Sequence, residues 1–184
     1  MNGIRTKECE LAISFLLSSI DNKMDGSRAF YSRIFNPISC WSKMYPETSG
    51  YIIPTLIQFG SKSNDHSYID KAKNMADWLL SIQGTDGSFQ GGLYGSKNPM
   101  KSIFNSAQII LGLVKIFEKT GEEKYFNAMS KCATWICDSQ NSNGDWKKYN
   151  YKHGFSPSYY TRVAWPLLSA WEKNKDERLL KSAE

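Results

Sequence analysis

Trp78-Leu79-Leu80-Ser81-Ile82-Gln83-Gly84-Thr85-Asp86-Gly87-Ser88-Phe89 returns, from Trp135 onward, as Trp135-Ile136-Cys137-Asp138-Ser139-Gln140-Asn141-Ser142-Asn143-Gly144-Asp145-Trp146. Each copy reads aromatic, aliphatic, three residues, Gln, three residues, Gly, one residue, aromatic. The same offset, without a gap, pairs Ser49 with Ser106, Ile52 with Ile109, Leu56 with Leu113, Tyr68 with Tyr125 and Ala76 with Ala133. A repeat of this length implies stacked supersecondary units that bury their apolar faces only against one another.

Apolar residues around the two copies recur at helical spacing. One helix is expected over residues 6–20, with Leu11, Ile13, Phe15, Leu16, Leu17 and Ile20 on its face. Gly26-Ser27 followed by Phe30-Tyr31 looks like a degraded copy of the Gly-x-aromatic ending. This first helix is thus read as the second half of a repeat whose first half is absent. The first full repeat starts with a helix capped by Thr48 or Ser49 and broken at Gly60. Pro54 is tolerable there only in or near the first turn. A second helix follows, near residues 65–82. The next repeat places helices over 104–119, capped by Asn105 or Ser106, and 122–139. A third repeat starts at Ser158, and its register puts Arg162 where Gln108 and Tyr51 stand in the earlier copies. The chain is read as one domain, with repeats near 48–92, 104–147 and 158–184 and a partial one at 6–31.

Composition narrows the classes. The 184 residues, 41% hydrophobic and 22% charged, suit an ordinary globular domain with a real core. The net charge of +5 comes from dispersed lysines and forms no nucleic-acid footprint. Residues 11–20 are apolar but too few to span a bilayer, and Glu8 and Glu10 precede them without a cleavage signal after. Cys9, Cys40, Cys132 and Cys137 show no paired framework, so reduced thiols and a cytoplasmic setting are expected. No metal site is expected, since Cys132 and Cys137 have no nearby His, and no cofactor is called for.

The doubled motif resembles the QW motif of the α/α-toroid superfamily, which includes terpenoid cyclases and protein prenyltransferase β subunits. That likeness covers residues 78–146 directly. With Tyr45-Pro46-Glu47-Thr48-Ser49-Gly50-Tyr51-Ile52-Ile53-Pro54-Thr55 and Tyr160-Thr161-Arg162-Val163-Ala164-Trp165, the chain is similar over 41–184 to a bacterial toroid family often found with polysaccharide-biosynthesis genes. The resemblance implies an all-α fold of αα-hairpin repeats forming an α/α toroid, first helices inside and second helices outside. Gln83 and Gln140 would bridge from the end of an outer helix to the neighbouring unit, as structural staples. Too few repeats are present to close the ring. The expected form is an incomplete arc, either part of a longer toroid or one whose open edges pair with another copy. The superfamily's Asp-rich cyclase motifs are missing, and its zinc ligands do not match.

In such an arc the inner-helix N-termini converge, and their N–H groups favour carboxylates or phosphates. They read Glu47-Thr48-Ser49-Gly50-Tyr51, Phe104-Asn105-Ser106-Ala107-Gln108 and Ser158-Tyr159-Tyr160-Thr161-Arg162. Glu47, Tyr51, Gln108, Tyr160 and Arg162 exceed what capping requires. Aromatics in the loops that lead there (Tyr45, Trp146, Tyr149, Tyr159, with Trp165 in the helix) suit the apolar faces of sugar rings. Phe89 and Trp146 belong to the repeated motif and are also expected to be buried. Arg162 is the candidate for holding a carboxylate, and His153 or Tyr160 for acid/base work. Glu47, Tyr51 and Gln108 would meet hydroxyls, with Glu47 also among the catalytic candidates and Asn105 among the substrate-binding ones. The expected function is binding or processing of an anionic polysaccharide or its precursor, as a metal-independent uronate lyase or epimerase. The alternatives are a non-catalytic helical scaffold that binds a partner and a truncated, inactive remnant. A glycosidase's carboxylate pair is not evident.

Overall fold

The computed structural model describes residues 6–34, 40–150 and 160–184. The fold is all-α. Its helices are α1 (Thr6–Ser19), α2 (Pro46–Ser63), α3 (Ser67–Ile82), α4 (Ile103–Thr120), α5 (Glu123–Asp138), α6 (Thr161–Asn174) and α7 (Glu177–Ala183). Extended pairing among the described residues is limited to isolated antiparallel bridges such as Arg28 with Met44 and Tyr31 with Trp41. No helix among them is long and apolar enough to cross a membrane.

Helix α4 is the centre of the molecule, because its sequence is apolar nearly all round. Residues 102–110 are buried without interruption, and Gly112, Leu113, Val114 and Ile116 follow. Helices α2 and α6 flank it, while α3, α5 and α7 pack back on α2, α4 and α6 as hairpins. The result is a layer of first helices beneath a layer of second helices. Each first helix stops the same way, in a left-handed residue: Asn64 (φ 54°), Gly121 (φ 69°) and Lys175 (φ 56°).

The repeated turns supply the ties between units. Gln83 Nε2 donates to Gly87 O at 3.0 Å within its own turn and to Ala128 O of α5 at 2.9 Å. Gln140 Nε2 does the same toward Gly144 O (2.9 Å) and Ser182 O of α7 (3.0 Å). One amide therefore holds its own turn and the next second-layer helix together. Phe89 and Trp146 are buried beside these turns.

Helix starts differ from the sequence reading. Helix α2 begins at Pro46 behind Tyr45, and α4 begins at Ile103 with Ser102 as its cap, accepting from Asn105 N. Thr48 and Ser49 are not caps; both turn their hydroxyls back to Tyr45 O. Ser49 and Ser106 have another task, which explains their burial. Ser49 Oγ accepts Ser27 N at 2.8 Å, and Ser106 Oγ accepts Phe89 N at 3.0 Å. Ser27 thus stands toward α2 as Phe89 stands toward α4.

Pro54 lies in the middle of α2, not in its first turn. A helical proline frees the carbonyl four residues back, here that of Gly50. Helix α4 comes unusually close at that carbonyl. A Cβ on Gly112 would lie 2.6 Å from Gly50 O, and one on Gly50 would lie 2.7 Å from Ile109 Cα. Two glycines let the backbones of α2 and α4 meet.

Candidate functional site

The first-layer helices bring their starts together, and with them the surplus polar residues. Tyr51 donates to Gln108 Oε1 at 2.8 Å and accepts from Arg162 Nη2 at 3.0 Å, which links α2, α4 and α6. The Arg162 guanidinium lies 5.7 Å from the Tyr51 ring centre and 6.0 Å from that of Phe104. Gln108 Nε2 donates to the backbone carbonyl of Arg162 at 2.6 Å. That carbonyl is the one Pro166 frees inside α6, so the glutamine replaces the missing helical N–H.

Beside this cluster, Asn105 Nδ2 donates to Glu47 Oε2 at 2.8 Å and to Tyr45 Oη at 3.1 Å. Its Oδ1 accepts from Ser102 Oγ at 2.7 Å. The orientation of Asn105 is therefore fixed on both sides. Glu47 is half-buried, and burial pushes its carboxyl up to about 7, against the pull of Arg162 and a hydrogen bond with Tyr51. A carboxyl that titrates near neutrality beside a phenol and a guanidinium can give and take protons. Asn105 and Gln108 are fully buried and spend their amides on neighbours. They form the frame of the cluster.

The remaining candidates are placed elsewhere or lower down. Trp146 is 3% exposed, and its indole donates to Ile136 O at 2.8 Å, so it is core. Tyr160 stacks on Trp146 and donates to its carbonyl at 2.7 Å; burial raises its phenol. Tyr149 packs against Trp135 of α5, with Lys148 5.0 Å from its ring centre. His153 and Tyr159 lie outside the described residues. Trp165 is 57% exposed and belongs to a groove of about 370 Å³ on the open face of α2, α4 and α6. Tyr51 is shared between that groove and the polar cluster.

A larger hollow of about 730 Å³ opens between the turn at 140–146 and α7. Trp146 and Tyr160 touch it, but Glu47, Tyr51, Asn105, Gln108 and Arg162 do not. Of that cluster only Tyr51 reaches the smaller groove. Among the described residues no three metal-ligating side chains converge. Ser102, Phe104 and Pro166 support the cluster without having been singled out in the sequence. Pro166 carried a signal: a proline inside a helix requires a donor for the carbonyl it strands.

No family model matches the sequence, and no curated protein matches it. Among solved structures, the chain is similar to the Lin0763 protein from Listeria innocua, at TM-score 0.73 and 13% identity. The match covers 96% of this chain and 51% of that one, so the chain spans about half the length of that protein. At this identity the likeness is one of fold.

Proposed function

We propose that the chain is an arc of an α/α toroid that holds an anionic glycan where its first-layer helices start. The observation that carries this reading is the convergence of Glu47, Tyr51 and Arg162, from two sequence-distant helices, on a frame fixed by Asn105 and Gln108. Arg162 is the exposed cation that takes a carboxylate. Glu47 and Tyr51 then stand where a proton next to that carboxylate would be removed.

For a uronate the chemistry begins with loss of the C5 proton to Glu47, directly or through Tyr51. In an elimination the C4–O bond breaks, a C4–C5 double bond forms, and the proton passes to the leaving oxygen. In an epimerisation a proton from solvent water returns to the opposite face of C5, and Glu47 passes the proton it took to solvent. Tyr51 has one hydroxyl proton and two acceptors, Gln108 and ionised Glu47, which suits it to relay. This reading moves the acid/base role from Tyr160, whose hydroxyl is spent on Trp146, to Glu47.

The test is incubation with polyuronates in deuterated water, following double-bond absorbance and deuterium at C5. The expected result is one of these signals, lost in Glu47→Gln and in Arg162→Ala while both variants keep their helical circular dichroism. Absence of both signals, with glycan binding retained, would leave a binding protein. Absence of binding as well would favour the scaffold reading. The complete use of Asn105 and Gln108 in structural bonds is the observation on that side.

A further inference from the structure

The groove beneath the polar cluster is lined by matching positions of the repeats. Tyr51, Gln108 and Arg162 occupy one repeat position and are hydrogen-bonded into a layer. One turn further along each helix stand Pro54, Leu111 and Trp165, an apolar and aromatic layer. Another turn on, Lys115 matches Ser169, and beyond them Glu118 matches Glu172. The open face therefore passes in register from the Tyr51 phenol, with Arg162 bonded to it, through an apolar and aromatic layer. It continues to Lys115 and Ser169 and then to the carboxylates of Glu118 and Glu172.

On α6 the four residues are Arg162, Trp165, Ser169 and Glu172, a spacing that keeps them on one side of the helix. They extend over ten residues, about 15 Å of helix. That length is well beyond a single sugar ring, and about 370 Å³ lies within the range of ligand sites. Glu118 is already paired with Lys115 and Lys173, and Ser169 Oγ donates to Trp165 O at 3.1 Å, which leaves Ser169, as an acceptor, and Glu172 as the polar groups at the far end.

We propose that this face is an extended subsite for a linear acidic oligosaccharide running along α6. The acidic unit sits at Arg162, the next ring stacks on Trp165, and hydroxyls of a further unit meet Ser169 and Glu172. An exposed indole between two polar layers suits a ring with one apolar face and a hydroxylated edge. Lys115 is paired with Glu118, so the layered order also sets a direction, with the carboxylate at the helix starts. The proposal rests on the glycan reading above.

Calorimetric titration of the full chain with uronic acids and their oligomers, monomer through tetramer, tests it. Affinity is expected to rise by about tenfold between monomer and trimer and then level. Trp165→Ala should flatten that rise without weakening the monomer, and Trp165→Phe should restore part of it. Arg162→Ala should weaken every length. Trp165 is exposed, so these variants are not expected to disturb folding. Equal affinity for all lengths, or a rise that survives Trp165→Ala, overturns the subsite and leaves the site at Arg162 standing. Binding of no member overturns both.

Discussion

Glu47 is the residue whose behaviour is easiest to separate from that of its neighbours. Its ordinary value is 4.5, and the folded chain holds it up to about 7. Below 4.5 the carboxyl is protonated in both folded and unfolded chains. Between 4.5 and about 7 the unfolded chain releases a proton that the folded chain keeps, so stability falls as pH rises across that window. Melting temperature measured across it should fall for the wild type, and Glu47→Gln should remove the Glu47 part of the slope. An unchanged slope would mean that Glu47 is already ionised when folded. Gln108 makes a second residue-level case. Gln108→Leu strands the Arg162 carbonyl and a Tyr51 partner, a loss of about 2 kcal/mol. Pro166→Ala gives the same carbonyl a helical N–H again, so in Gln108→Leu it should recover part of that loss. Additive effects in chemical denaturation would show that the glutamine and the proline are not linked.

At the scale of elements, the contact between α2 and α4 sets the distance across which the site residues meet. Gly112→Ala places a methyl against the Gly50 carbonyl and should cost about 2 kcal/mol in denaturant unfolding. It should also weaken whatever binds at Arg162, because Tyr51 and Gln108 sit on the two helices that move apart. Gly121, by contrast, has open space around it, and its role is its left-handed backbone. Most helices were legible from apolar spacing and the doubled motif, and the resemblance implied the glutamine ties. The starts of α2 and α4 were not. Thr48, Ser49, Asn105 and Ser106 all have capping chemistry, and only the tertiary contacts show that Ser102 caps while Ser49 and Ser106 receive N–H groups from the preceding turn. Pro54 was misplaced for the same reason. Its place in mid-helix follows from α2 starting as early as Pro46, which the capping residues did not mark.

At the scale of the whole molecule, the repeat does more than build a core. Register between copies brings Tyr51, Gln108 and Arg162 to one level, and this was readable in the sequence as soon as the copies were aligned. Which side chains face a ligand was not readable. Trp146 and Trp165 are the same residue type, yet one is core and the other lies on the open face. The difference lies in the layer each occupies. The same limit applies to Asn105 and Gln108, whose polarity suggested ligand contact but whose burial assigns them to the frame. On the proposed reading this frame presents Arg162 to an acidic glycan. The most direct measurement is a thermal-shift screen of the wild type and Arg162→Ala against acidic and neutral oligosaccharides. A ligand that binds only the folded chain raises its melting temperature by mass action. The account predicts a shift with uronates, none with neutral sugars, and loss of the shift in Arg162→Ala. An equal shift in both proteins, or no shift with any uronate, would contradict it.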